Sequence, residues 1–153
     1  MRSGARIQTD PIDAGAALAA FCIDRPQSGA VVSFVGQARA TTDGAPVLGM
    51  TVDAYPGFTD RVLEALVDET RSRFRVDDAA VVHRWGAIAV GEPIVFVAVA
   101  AVHRRAAFEA ADFLMDQLKT RAPFWKMERG VDGDRWIDAR PQDHDDAARW
   151  RKE

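Results

Sequence analysis

Cysteine occurs once in this chain of 153 residues, at Cys22, and tyrosine once, at Tyr55. A single thiol excludes an internal disulfide and a thiolate metal centre, and it fits a reducing, cytoplasmic setting. Histidine is nearly as scarce. His83, His103 and His144 are scattered without ligand spacing, so no metal site is expected and no cofactor is called for. An excess of charge is also lacking: 20 Lys and Arg against 23 Asp and Glu leave a net charge of −3. That balance argues against a nucleic-acid binder, and an anionic ligand would have to be met by a local basic cluster working against the global sign. No apolar run is long enough for a bilayer, since the longest, Pro93 to Val102, falls far short. The alanine-rich stretch Ala14 to Cys22 is approached through Asp10, Pro11 and Asp13, with no small-residue cleavage site after it, and is therefore not read as a signal segment. The phosphate-cradling GxxxxGK[ST], the dinucleotide GxGxxG and the nucleophile-elbow GxSxG are all missing. So are internal repeats and Pro/Gly/Ser linkers.

What is present is an ordinary globular composition, 48% apolar and 28% charged, at a length that suggests one domain spanning 1–153, with a core over about 7–140 and a polar tail over 141–153. A first helix is predicted from about Pro11 to Ile23, with Asp10 as cap and Pro11 at the first position. Ala30 to Val35 is β-branched and aromatic and reads as a strand. Gln37 to Pro46 reads as a loop built on Thr41-Thr42-Asp43-Gly44. Leu48, Met50, Val52 and Ala54 alternate with polar or small residues, the period of a strand with one buried face. A second helix is predicted over about Asp60 to Phe74, with Thr59 as N-cap and Phe58 stapled to Leu63. Strands follow at Ala79 to Trp85 and at Ile94 to Val102, the latter apolar on both faces. A third helix, about Ala106 to Arg121, carries Phe108, Ala111, Met115 and Leu118 on one stripe and is ended by Pro123. Phe124 to Ala139 reads as irregular or short strand around Asp132-Gly133-Asp134. Helices and strands do not alternate regularly, which favours an α+β fold with about three main helices over a doubly wound sheet.

Four basic places stand where a regular element gives way to a loop, the position at which a scaffold fixes a side chain that solvent can reach. They are Arg39, His103-Arg104-Arg105, Lys119 with Arg121, and Lys126. The triplet at 103–105 is either solvated charge at a strand end or an anion site, in which arginine forks and helix-opening N–H groups point the same way. Spacing alone does not choose. Lys119 is either a snorkelling lysine at a helix C-terminus or a catalytic lysine whose pKa is lowered by Arg121 and Lys126. Cys22 reads as a buried structural residue, His83 as structural and His144 as solvated.

At these same positions the sequence resembles a known family. Leu118-Lys119-Thr120-Arg121-Ala122-Pro123-Phe124-Trp125-Lys126 looks like the signature of the catalytic, large subunits of molybdopterin synthase, the MoaE family. Val102-His103-Arg104 with Ala107-Phe108-Glu109-Ala110 is similar to a second block. Gly36-Gln37-Ala38-Arg39, Tyr55-Pro56-Gly57, Gly91-Glu92 and Gly133-Asp134-Arg135-Trp136 extend the likeness over about Ile7 to Arg140. The resemblance implies an α/β-hammerhead type of fold with a mixed or antiparallel sheet. It also implies a homodimer that binds two small ubiquitin-like (MoaD-like) carrier subunits to form a heterotetramer. Each carrier would end in Gly-Gly bearing a thiocarboxylate, whose sulfur passes to cyclic pyranopterin monophosphate to make the molybdopterin dithiolene. This chain ends Arg151-Lys152-Glu153, without Gly-Gly, and so is not expected to be the carrier itself.

By the same resemblance Lys119 and Lys126 are the catalytic lysines, and Arg39, His103 and Arg104 hold the pterin and its phosphate. Gln37 and Ala38 belong to one substrate-binding loop, Met127 and Glu128 to another. The chain departs from the family's usual pattern at Gln37, where a lysine is common, and at Met127, where a basic residue is frequent. The alternatives are a non-catalytic paralogue that binds the carrier or a phosphorylated pterin, a phosphate-ligand binding module unrelated to sulfur, and a sulfurtransferase that works through Cys22. Retention of Lys119 and Lys126 argues against the inactive paralogue, and the resemblance implies no cysteine catalysis.

Overall fold

The computed structural model describes residues 3–151, so Lys152 and Glu153 of the chain end lie outside the described residues. Its organising element is the strand β7 (Pro93–Ala101), buried along almost all its length. Val95, Val97, Val99 and Ala101 face one layer of helices, while Phe96, Ala98 and Ala100 face another. A strand covered on both sides has no solvent face, and this is why its sequence reads as one apolar run. It lies in a four-stranded sheet of order β1-β5-β7-β2, formed with β1 (Gly4–Gln8), β5 (Asp78–Arg84) and β2 (Ala30–Gln37). β1 pairs with β5 in parallel, and the other neighbours are antiparallel.

Two long helices cover one face of this sheet, α2 (Phe58–Phe74) and α3 (Arg104–Arg121). Leu63, Leu66 and Val67 of α2 and Ala107, Ala110, Ala111, Leu114 and Leu118 of α3 pack with the β7 valines into the largest core cluster. The short α1 (Ala14–Cys22) covers the other face through Phe21. A second sheet of order β3-β4-β8-β9 is built from β3 (Thr41–Thr42), β4 (Ala45–Asp53), β8 (Trp125–Gly130) and β9 (Gly133–Ile137), with the three-residue β6 (Gly86–Ile88) also on β4. Ala38, Met50, Val52 and Ile88 form a small core with Ile94 and Phe124 packed against it, where the two sheets meet. A fourth helix, α4 (Pro141–Ala148), and a single 3₁₀ turn (Arg149–Arg151) close the described chain. Among the described residues no helix is long and apolar enough to cross a membrane.

The α+β class holds, and several local expectations are corrected. α1 begins three residues later than predicted, because Asp13 rather than Asp10 caps it, its carboxylate accepting from Ala16 N–H at 2.9 Å. The carbonyls of Asp10 and Pro11 instead accept from the Gln8 amide, which ties them to the end of β1. Gly57, at φ +83°, precedes α2 and donates its N–H to Asp60, while the expected cap Thr59 is buried and accepts from Tyr55 N–H. Phe58 is exposed while Leu63 is fully buried, so the expected staple is not made. On α3 the buried stripe runs through Ala107, Ala111, Leu114 and Leu118, leaving Phe108 61% exposed on the opposite side. Cys22 is exposed, not buried, because α1 turns only Phe21 fully inward.

Unforeseen in the sequence is β1, whose Ala5 and Ile7 N–H groups donate to Glu64 and Asp60 of α2, whereas the segment expected as irregular or short strand takes the strand form, the β8–β9 hairpin around the expected turn. The polar tail is docked as well. Trp150 packs edge-on against Phe74 and Phe113, its indole N–H donates to Asp116 at 2.7 Å, and Arg149 pairs with Asp112 and Asp116.

Leu114 is fully buried between α2, α3 and the sheet. Leu114→Ala is expected to cost about 2–5 kcal/mol of unfolding free energy through lost burial and the cavity left behind, measured by denaturant unfolding.

Candidate active site at the junction of the sheets

Three of the four predicted basic positions meet at one place. A cavity of about 210 Å³ opens where the end of β2, the end of α3, β8 and the start of α4 converge, and Arg39, Lys119 and Lys126 all line it. Each arrives for a local reason. The backbone of Ala38 donates to Glu92 and accepts from Gly91, and Glu92 is itself anchored by Arg84 at 2.7 Å. This grip fixes the chain just after β2, so that Arg39 emerges at the cavity with no ion-pair partner among the described residues. The last turn of α3 presents Lys119 beside the buried Leu118. Pro123 then forces Ala122 into extended geometry (φ −72°, ψ 130°), and the chain turns directly into β8. Because side chains alternate along a strand, Lys126 and Glu128 share the face of β8 that lines the cavity, and Met127 points to the other face.

Phe124 anchors this turn from beneath. Its ring stacks on His83 with centroids 3.8 Å apart and an interplanar angle of 16°. Burial, and then the nearby charge of Lys126, hold the His83 pKa at about 3, only partly offset by the bond to the Arg84 carbonyl at 2.7 Å. His83 is therefore a neutral imidazole at physiological pH and forms a rigid aromatic floor under the lysine. Nothing in its strand pattern marked that role.

Lys126 is partly buried, and its pKa is lowered from 10.5 to about 8, first by desolvation and then by the positive charge of Lys119, against a raising effect of Asp143. The expectation that Arg121 presses on Lys119 is corrected. Arg121 turns away and is held by Glu69 at 2.8 Å and Gln117 at 3.0 Å. The depressed lysine is Lys126, and the like charge acting on it is Lys119. Glu128 has little left to offer a ligand, since its carboxylate accepts from the Thr42 hydroxyl at 2.8 Å and from Arg135 at 2.9 and 3.2 Å. It latches the β3–β4 hairpin to β8. Gln37 lines the cavity and its amide donates to the Gly91 carbonyl at 3.4 Å.

His103 and Arg104 are not part of this cavity within one chain. They are exposed at the opposite end of α3, where a separate, open depression is lined by Gly29, Arg105 and Phe108. Arg104 opens the helix and Lys119 lies near its end, roughly 22 Å along the axis at 1.5 Å per residue.

Because the Lys119 charge adds to desolvation in lowering Lys126, Lys119→Gln should raise the Lys126 pKa part of the way from about 8 toward the ordinary lysine value. An NMR titration of the Lys126 side chain reads this directly, and an unmoved or lower value would contradict the coupling.

Comparison with known proteins bears on the whole arrangement. Residues 7–121 match the family model described as "MoaE protein". The molybdopterin synthase catalytic subunit of Caulobacter vibrioides is 50% identical over 143 residues, covering 94% of both chains. That of Escherichia coli K12 is 47% identical over 127 residues, covering 83% of this chain and 85% of the relative. Among solved structures, the molybdopterin biosynthesis MoaE protein of Burkholderia ambifaria superposes with a TM-score of 0.83 at 43% identity, covering 99% of each chain. With the family model spanning most of the chain and relatives this similar along nearly all of it, the chain belongs to the MoaE protein family.

Proposed function

We propose that this chain is the catalytic subunit of a molybdopterin synthase, a sulfurtransferase that moves sulfur from the thiocarboxylated Gly-Gly terminus of a small carrier subunit to cyclic pyranopterin monophosphate. The observation that carries the reading is the convergence of Arg39, Lys119 and Lys126 on one cavity at the meeting of two sheets. Both reactants are anions, a thiocarboxylate and a cyclic phosphate, and a partly desolvated basic pocket is the environment that gathers them. The reading places the chain in the cytoplasm.

In each of two rounds the thiocarboxylate sulfur bonds to a side-chain carbon of the pterin, from which an oxygen leaving group departs. Water then attacks the carrier's terminal carbonyl, the carbonyl carbon–sulfur bond breaks, and the carrier leaves as a carboxylate. Lys119 faces the negative charge of the attacking sulfur and of the tetrahedral carbonyl adduct. Lys126, with its pKa of about 8, holds a proton at neutral pH yet releases it readily, which suits proton delivery to the departing oxygen. Arg39 takes the phosphate through its open guanidinium fork. Gln37 and Ala38 shape the rim of the cavity, with Glu128 fixing the hairpin beside it.

His103 and Arg104 join this chemistry only if a second copy supplies them, since one chain keeps them far from the lysines. A homodimer fits this requirement. Val31, Phe34 and Val35 on the edge strand β2, and Phe108 beside His103 and Arg104, are exposed apolar side chains suited to such a contact. Two carriers on that dimer give a heterotetramer.

Turnover with thiocarboxylated carrier and cyclic pyranopterin monophosphate tests the reading. Lys119→Ala should lower it roughly 100- to 1000-fold while carrier binding persists. Tight carrier binding without product in the unaltered protein would instead identify a non-catalytic paralogue. A shared site makes a second expectation. Co-expressed Lys119→Ala and Arg104→Ala chains, each inactive alone, should recover roughly a quarter of full activity, because half of the two-fold dimers are mixed and each mixed dimer has one intact site. No recovery would show that Arg104 acts outside the lysine site.

A further inference from the structure

α4 brings one carboxylate back to the lysines. Asp143 is 9% exposed, lines the same cavity as Arg39, Lys119 and Lys126, and places Oδ1 4.0 Å from Lys119 Nζ. Its other oxygen accepts from the Arg140 backbone N–H at 2.9 Å, which caps α4 and fixes the carboxylate's direction, and the Arg140 guanidinium lies 3.5 Å from Oδ1. α4 itself is pinned by Ala147, buried against α3, and by the Trp150 aromatic contacts beyond it. The carboxylate is thus delivered by a packed helix and does not dangle from a tail.

The other charged groups facing the lysine pair leave this role open. Glu128, from β8, is committed to Thr42 and Arg135. Asp138, following β9, lines the cavity but is exposed, so water screens it. Arg39 and Arg140 add positive charge, and His83, from β5, is neutral. We propose that Asp143 is a positioning residue of this site: its buried carboxylate pairs with the Lys119 ammonium, steers it into the cavity, and offsets the repulsion between Lys119 and Lys126. Two ammonium groups in a partly desolvated pocket repel each other and lose hydration, and a fixed carboxylate beside one of them relieves both effects. The Asp143 carboxyl is itself held below the usual range. Burial opposes its ionisation, and the Arg140 N–H, the Lys119 charge and the Arg140 side chain together outweigh that opposition. It is therefore ionised whenever the lysines work.

This inference rests on the synthase reading for its catalytic consequence, but its electrostatic core can be measured without substrate. Asp143→Asn keeps an acceptor for the Arg140 N–H and removes the charge. Asp143→Ser does the same with a different capping oxygen, should the first variant fold poorly. In the free protein, side-chain NMR titration should show the Lys126 pKa falling below about 8 in both variants, because the one raising influence on it is gone. In turnover assays kcat at neutral pH should fall roughly 10- to 100-fold with KM nearly unchanged, as expected when a reacting group is misplaced and not lost. The alkaline limb of the kcat profile should move to lower pH together with the Lys126 titration. An unmoved Lys126 pKa in both variants would overturn the proposal, whatever the activity. A lower rate with an unshifted pH profile would make Asp143 a helix cap alone and would equally overturn it. Failure of the unaltered protein to form product would count against the synthase reading and leave the lysine titration as the standing test of Asp143.

Discussion

Two lysines that repel each other are held side by side at the edge of a core, and much of the surrounding structure exists to make that tolerable. Lys119 and Lys126 come from the end of a helix and the start of a strand, joined by the short segment Thr120 to Trp125. Pro123 makes the turn abrupt, and Phe124 bolts it to a neutral His83. Fully exposed to water, each of the two lysines would be an ordinary cation. Kept together and partly desolvated, one of them has a pKa near the working range of a cell, which is the condition under which lysine can move a proton.

The strand β7 supplies the rigidity behind this arrangement. Because it is covered on both faces, α3 packs against it through Ala107, Ala111, Leu114 and Leu118, and the small alanines allow close approach. The last turn of α3 is therefore fixed in position even though Lys119 itself reaches solvent. The same strand ends at Ala101, and the chain passes through Val102 to His103 and Arg104 before α3 begins. One helix thus separates two basic places by its own length, and a site that uses both has to be shared between chains.

Glu128, Asp143 and Arg135 show how little of a charged residue's role is visible from its identity. In the strand, Glu128 alternates onto the cavity face beside Lys126, yet both its oxygens are taken by Thr42 and Arg135, so it fastens a hairpin. Asp143 sits in a run of polar residues that reads as solvated tail, yet it is buried and faces Lys119.

The sequence by itself determined the α+β class, the two-faced apolar strand, the helix stop at Pro123 and the identity of the basic residues, because each is written in local chemistry: periodicity, β-branching and proline geometry. The family resemblance singled out Lys119, Lys126 and Arg39 on the same local blocks. Only the tertiary structure decided which of those residues share a cavity. It separated His103 and Arg104 from the lysines, turned Arg121 toward Glu69, exposed Phe108 and Cys22, and brought in His83 and Asp143 from elements 43 and 17 positions before and after Lys126. The short β1 and the docking of α4 were invisible for the same reason. Burial, pairing and the sign of a pKa shift depend on contacts between segments distant in the chain, and no local pattern encodes those contacts.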